Sequence, residues 1–292
     1  MKMEINMKRF FTVVLIALLS CSIACAQGSD SMRPGHGANR GNGVHRVHGN
    51  NRVSNGKSKY TPEILRFVVE GVSFDMVEVR GGTFRMGATS EQGSDAESDE
   101  KPVHSVTLSS YYIGKTEVTQ ALWKAVMGSN PSEFKGDDLP VERVSWYDCQ
   151  EFIRELNALT GQNFRLPTEA EWEFACRGGN NSRGYKYSGS NYIDNVAWYC
   201  LNSGEKTHPV ASKLPNELGI YDMSGNVDEW CSDWYGGYTS GAQTNPKGPY
   251  DGSDRVYRGG SWHFIVRFCR SSVRDFNFPA NRYGGLGLRL AL

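Results

Sequence analysis

Apolar residues along this chain come in short runs whose spacing changes with position. The first, Phe10 to Leu19, is continuous and follows Lys2, Lys8 and Arg9. It is too short to span a bilayer but fits the core of a secretory signal, so residues 1–26 read as a signal peptide and the protein as exported. Residues 27–58 hold almost no large apolar side chain and are rich in Gly, Asn and Ser. Such a stretch cannot bury enough surface to offset its ordering entropy, which predicts a flexible basic tether. Residues 59–292 then read as one domain, with no second linker and no self-similar period. Helical spacing appears early in it. Thr119 caps a helix through Met127 that Gly128 stops, with Ala121, Leu122 and Val126 as its apolar face. Ser145 with Asp148 opens a longer one, in which Trp146, Cys149, Phe152, Ile153, Leu156 and Leu159 recur until Gly161. Thr168-Glu169-Ala170-Glu171 is a capping box for a third that ends at Gly178-Gly179. Val77–Val79, Ser105–Leu108 and Val256–Arg258 read as strands, and Gly and Asn interrupt the remainder every few residues. The expectation is an α+β domain, coil-rich with few helices.

Composition narrows the function. The 292 residues carry 32 Lys+Arg against 32 Asp+Glu, but the cancellation runs over unlike parts: +2 in residues 1–27, +4 in 28–58 and −6 in the rest. An acidic domain on a basic arm excludes nucleic acid as the domain's partner. Two endings fit the signal. Leu18-Leu19-Ser20-Cys21 has the form of a bacterial lipobox, which would place a lipid anchor on Cys21 and tie the protein to the cell-envelope membrane. Ala24-Cys25-Ala26 before Gln27 suits ordinary cleavage to a periplasmic or secreted form. His36, His45 and His48 lack the Cys or carboxylate neighbours of a metal site and belong to the tether. Glu91–Glu100 is acidic but lacks the alternating ligands of an EF-hand loop and is expected as a solvated loop. Cys149, Cys176, Cys200, Cys231 and Cys269 form no CxxC pair, and no GxSxG elbow, P-loop or HExxH occurs.

Several segments, in order, resemble the formylglycine-generating enzyme, or sulfatase-modifying-factor, family. They are Val79 to Gly87 (VRGGTFRMG), Tyr112 to Thr119 (YIGKTEVT), Pro140-Val141 with Val144-Ser145-Trp146, and Arg165 to Glu173 (RLPTEAEWE). Beyond these come Thr207 to Val210, Gly219 to Val227 (GIYDMSGNV), Glu229-Trp230, Arg258 to Trp262 (RGGSW) and Gly285 to Arg289 (GLGLR). The resemblance covers essentially all of residues 68–292 and implies a C-type lectin-like fold as a single domain. It also implies a structural Ca²⁺ in the loop Asp222 to Glu229, ligated through Asp222, Gly225, Val227 and Glu229, an oxygen-only set of the kind this ion accepts. Enzymes of the family oxidise a protein cysteine with copper(I) held by two thiolates shortly after the RGGSW segment. Here Cys269 stands at the second of those positions and Phe264 at the first. A phenyl ring cannot ligate copper, so the bis-thiolate set is incomplete and copper is not expected. Asp228 is a further departure, since the family often carries an aromatic residue there.

Residues 255–292 also resemble the variable region of proteins diversified by retroelements, which display a changeable binding surface on this fold. His263, Phe264, Ile265, Phe268, Phe276, Asn277, Phe278 and Tyr283 all belong to the residue set such diversification permits, with Arg270, Arg274, Pro279, Asn281 and Arg282 between them. With Arg267 they form a concentration of aromatic and cationic side chains of the sort that dominates recognition surfaces. The expected function is a non-catalytic, exported protein that binds a protein or glycan ligand here. An oxidase acting on exported sulfatases through Cys269, and a structural module of an envelope assembly, are the alternatives.

Overall fold

The computed structural model describes residues 45–47, as backbone, and residues 60–292. The signal peptide, the lipobox at Cys21 and nearly all of the tether lie outside the described residues. Inside the tether, β1 (His45–Val47) pairs antiparallel with β2 (Ile64–Val69). The expectation of a structureless segment is corrected there, because a sheet edge offers unpaired backbone groups that a passing strand can satisfy.

Three helices form where their local signals put them. In α1 (Gln120–Met127) the Thr119 hydroxyl accepts from the Leu122 amide at 3.2 Å, and Gly128 ends the helix at φ 71°. Before α2 (Trp146–Thr160), Ser145 and Asp148 bond each other's amides, and Gly161 closes it at φ 66°. Before α3 (Glu169–Cys176), Thr168 and Glu171 repeat the arrangement. Each cap satisfies amides that the first helical turn leaves without partners. The apolar face of α2 buries Cys149, Phe152, Ile153 and Leu156, whereas Leu159, expected on that face, is 54% exposed.

The strands form small sheets. One runs β1-β2-β3-β6, with β3 (Val72–Val79) and β6 (Tyr111–Gly114). A second joins β4 (Gly82–Met86), β5 (His104–Leu108) and the short β8 (Gln243–Thr244). The third has the order β10-β9-β7-β11, from β7 (Asp228–Trp234), β9 (Arg255–Arg258), β10 (Arg274–Asn277) and β11 (Leu286–Leu288). All its pairings are antiparallel except β11 with β7. One apolar core lies between α1, α2 and the first sheet, and includes the stacked rings of Trp123 and Phe152 at 4.8 Å. A second surrounds α3, with Trp172 and Cys231 fully buried. The third sheet carries the terminal stretch in which the sequence concentrates its candidate chemistry.

Candidate functional site

The stretch from β9 to β11 is pinned by arginines whose charges are buried and paired. Arg258 meets Glu173 and donates to the Ser272 and Val273 carbonyls at 3.1 and 2.6 Å. Arg270 forms a two-pronged pair with Glu100 at 2.6 and 2.9 Å, and Arg274 one with Glu169 at 2.6 and 2.7 Å. Arg289 grips Glu229 at 2.6 Å. Buried guanidinium groups require such partners, and this overturns the expectation of a solvated loop at Glu91–Glu100. Gln92 and Glu100 are buried, Glu91 pairs with Arg177 at 2.5 Å, and Asp95 with Lys186 at 2.6 Å. The acidic stretch is a strut that supplies counter-ions to the terminal stretch.

Between these anchors the chain makes a tight turn. Gly260 adopts φ 73°, and a Cβ there would lie 2.7 Å from the Phe268 carbonyl oxygen and 2.9 Å from the Cys269 sulfur, so only glycine fits. The close approach brings a short 3₁₀ turn, Val266–Cys269, against the end of β9. A shallow cleft opens there, lined by Asp228, Tyr257, Phe264, Phe268, Val273 and Asp275 with Arg258 and the two turn glycines. It has room for about one water molecule.

The expected ligand-binding residues divide around this cleft. Phe264 and Phe268, with ring centroids 5.5 Å apart, form one wall. Phe264 is only 8% exposed. Tyr283 reaches the opposite side, its hydroxyl donating to Asp228 at 2.9 Å. His263 sets its ring tilted against Phe264 at 4.3 Å, and burial lowers its pKa to about 4, leaving it neutral. The exposed Arg267 lies over the Phe268 ring at 4.6 Å. Ile265 instead packs against the small core of Tyr187, Tyr199, Cys200 and Cys269. Phe276 turns from the cleft to pack at a tilt on Tyr235 at 4.0 Å, since its strand neighbour Asp275 takes the inward position. Asn277 caps the next amide, that of Phe278, at 2.9 Å, and Phe278 is 53% exposed. Sequence reasoning missed Asp275 and Tyr257 as lining residues and noticed Asp228 only as a departure. Burial drives the Asp228 carboxyl well above the ordinary range and Asp275 up to about 6.

The Cys269 thiol is fully buried, and burial raises its pKa, so it is a protonated core thiol rather than an exposed nucleophile. Phe264, in place of the other thiolate, faces the cleft with no ligating atom. The residues present do not fit the copper pair. The side chains of the Asp222–Glu229 loop, where calcium is expected, are held by neighbouring groups. Both Glu229 oxygens are engaged, by Arg289 and by the Trp172 indole at 2.6 Å, and Asp222 accepts the Ala211 amide at 2.7 Å. Among the described residues no group of three or more His, Cys, Asp or Glu side chains could hold a metal ion. Other bonds knit this loop: Asn226 donates to the buried Glu117 carboxylate at 2.9 Å and its carbonyl accepts from Trp262 at 2.8 Å, while Gly225 at φ 79° bonds Gly259 at 2.9 Å.

A model of the sulfatase-modifying factor enzyme 1-like domain matches residues 70–292. The chain belongs to this family. Its α+β, coil-rich architecture is the formylglycine-generating-enzyme form of the C-type lectin-like fold. Among curated relatives, "Chaperone protein LppX" of Paenibacillus barcinonensis is 40% identical over 270 residues, spanning 75% of this chain and 89% of its own. The formylglycine-generating enzyme of Streptomyces coelicolor is 31% identical over 284 residues, spanning 74% and 88%. Among solved structures, Treponema denticola variable protein 1 is similar at a TM-score of 0.70 and 36% identity, over 77% of this chain and 97% of that one. The sulfatase-modifying-factor domain thus accounts for the scaffold.

Proposed function

We propose that this protein is a non-catalytic, envelope-associated member of the sulfatase-modifying-factor family that binds a protein or glycan ligand through the surface around the Phe264–Phe268 wall. The observation that carries the reading is an alternation along the terminal stretch. Arg258, Arg270, Arg274 and Arg289 are buried and paired, while Arg267, Phe268 and Phe278 between them reach solvent. Anchors of that kind let the intervening side chains vary without loss of the fold, as a variable display surface needs. Similarity to Treponema denticola variable protein 1 and to LppX supports binding over oxidation. So does the pairing of a phenyl ring at 264 with a buried thiol at 269. The charged amino-terminal run and following apolar segment support export. Among the described residues no helix is long and apolar enough to cross a membrane.

The test compares the full chain with an Arg267→Ala, Phe268→Ala, Phe278→Ala variant on arrays of glycans and of envelope proteins. The reading expects a ligand held by the parent and weakened about tenfold or more in the variant at unchanged Tm. Equal binding by the variant overturns it, as does conversion of a sulfatase cysteine peptide to formylglycine by the copper(I)-treated chain.

A further inference from the structure

Arg255, at the start of β9, differs from the arginines that follow it. Arg258, Arg270, Arg274 and Arg289 each meet a glutamate. Arg255 has no carboxylate partner among the described residues and is clamped between two rings instead. Its Cζ lies 4.0 Å from the ring centre of Trp146 and 3.4 Å from that of Trp234. Both rings are fixed from behind. The Trp146 indole donates to the Cys231 carbonyl at 2.9 Å and its amide to the Pro279 carbonyl at 3.0 Å. Trp234 pairs with Arg255 in the β7–β9 ladder, and a Cβ at Gly252 would lie 3.0 Å from the Trp234 Cβ. A guanidinium held between two such faces keeps its orientation before any ligand arrives.

One edge of that guanidinium has no acceptor. Nη1 donates to the Ser232 carbonyl at 2.5 Å, Nε is buried without a hydrogen-bond partner, and none of the described residues bonds Nη2. Nε and Nη2 form the edge that grips a carboxylate at Arg66, Arg274, Arg282 and Arg289. A buried donor left without an acceptor is costly, and the ring stack keeps this one in place. The carboxyls next to these residues in the chain turn elsewhere. Asp233 accepts from the Glu169 amide and the Ser232 hydroxyl, Asp254 from the Ser253 hydroxyl, and Asp148 from Arg282.

The surroundings select the ligand. Cations are repelled and a neutral amide leaves the charge unanswered, whereas a carboxylate brings two oxygens to the open edge. Sugar hydroxyls would need further polar partners, and Asp148, Arg282 and Asp233 are already engaged. The rim offers rings instead. Tyr147, 54% exposed, stands edge-on to Trp146 at 5.8 Å, and both tryptophans are partly exposed. Trp, Tyr and Arg are the anchors that dominate protein–protein recognition.

We propose that Arg255, between Trp146 and Trp234, receives an aspartate or glutamate carboxylate of a partner protein, whose flanking apolar side chains cover Tyr147. The site uses none of the residues that line the cleft and does not rest on the reading of the Phe264–Phe268 wall. The full chain is titrated at neutral pH with the peptide acetyl-Phe-Glu-Phe-amide, with its Gln and Lys counterparts, and with sodium glucuronate and inorganic phosphate. Binding is followed by tryptophan fluorescence and calorimetry.

Saturable binding of the Glu peptide is expected, about tenfold or more tighter than of the Gln or Lys peptide, glucuronate or phosphate. Arg255→Lys, which keeps the charge and removes the fork, should weaken it about tenfold. Tyr147→Ala, at an exposed ring, should weaken it about threefold at unchanged Tm. Arg267→Ala with Phe268→Ala should leave it unchanged. No saturable binding of the Glu peptide, equal binding of the Gln peptide, unchanged binding in Arg255→Lys, or loss in the Arg267, Phe268 variant overturns the proposal. Tighter binding of glucuronate or phosphate overturns the assignment to a protein carboxylate. If Arg255→Lys does not fold, the difference between the Glu and Gln peptides on the parent chain and the effect of Tyr147→Ala decide.

Discussion

The α2 side of the molecule and the β9–β11 side are held by different forces. Around α2, Phe152, Leu156, Trp123 and Phe164 pack as hydrocarbon and rings with little exposure. Around β9 to β11 the largest buried side chains include Arg258, Arg270 and Arg289, each tied to buried glutamate. A hydrocarbon core tolerates changes that preserve volume and resists those that leave cavities. An ion-paired core fixes a few positions and leaves some side chains between them, Arg267 and Phe278 here, free to reach solvent. The second kind suits a surface whose residues must differ while the backbone stays put.

The strongest way to break the contrast is to remove one partner on each side. Phe152→Ala and Glu169→Ala should each cost about 3–5 kcal/mol in urea unfolding, the first through a cavity and the second through uncompensated Arg274. They should differ in rescue. Replacing Glu169 and Arg274 together by methionine should recover most of the loss, because no charge is then stranded, whereas no single partner change restores the Phe152 cavity.

A pH series should sharpen the comparison further. Burial raises Asp222 and Asp275 to about 6 and Glu142 and Asp233 to about 7. A carboxyl raised in the folded state costs stability as pH climbs through its folded value, so Tm should rise on acidifying from about pH 8 to about pH 5. Glu100 and Glu169 lie on the other side of their ordinary value: despite burial, which opposes the shift, their arginine partners lower them. Their contribution is full above the unfolded value and is lost as pH falls below it, so Tm should then drop. A Tm that falls steadily on acidifying from pH 8 would contradict the raised group. Asp228→Asn removes a carboxyl that burial holds well above its ordinary range, and should raise Tm by roughly 2–4 °C at pH 8 and by less as the pH falls toward the unfolded value. The smallest effect belongs to the rim: Phe278→Ala should change stability by no more than about 0.5 kcal/mol in the same urea measurement.

Much of the scaffold was legible because its signals are local. Thr119, Ser145 and Thr168 announce helices through bonds three residues away, and Gly128 and Gly161 end them next to their last turns. The terminal cluster was legible as composition, but its geometry was not. Strand alternation turns Phe276 outward toward Tyr235 and brings Asp275 inward, a choice set by pairing with β9 that no window of sequence contains. The counter-ions were hidden for the same reason: Glu100 and Arg270 meet across 170 positions, so the acidic stretch looked solvated. The partner of Glu229 was hidden likewise, since Arg289 stands sixty positions away.

On the proposed function this sulfatase-modifying-factor domain binds and does not oxidise, because a ring stands where a copper thiolate would be needed. It is tested most directly by incubating the full chain with copper(I), oxygen and a sulfatase-derived cysteine peptide, then reading the peptide by mass spectrometry. The cysteine is expected to stay unconverted. Formylglycine that forms with the parent chain and disappears with Cys269→Ser would contradict it.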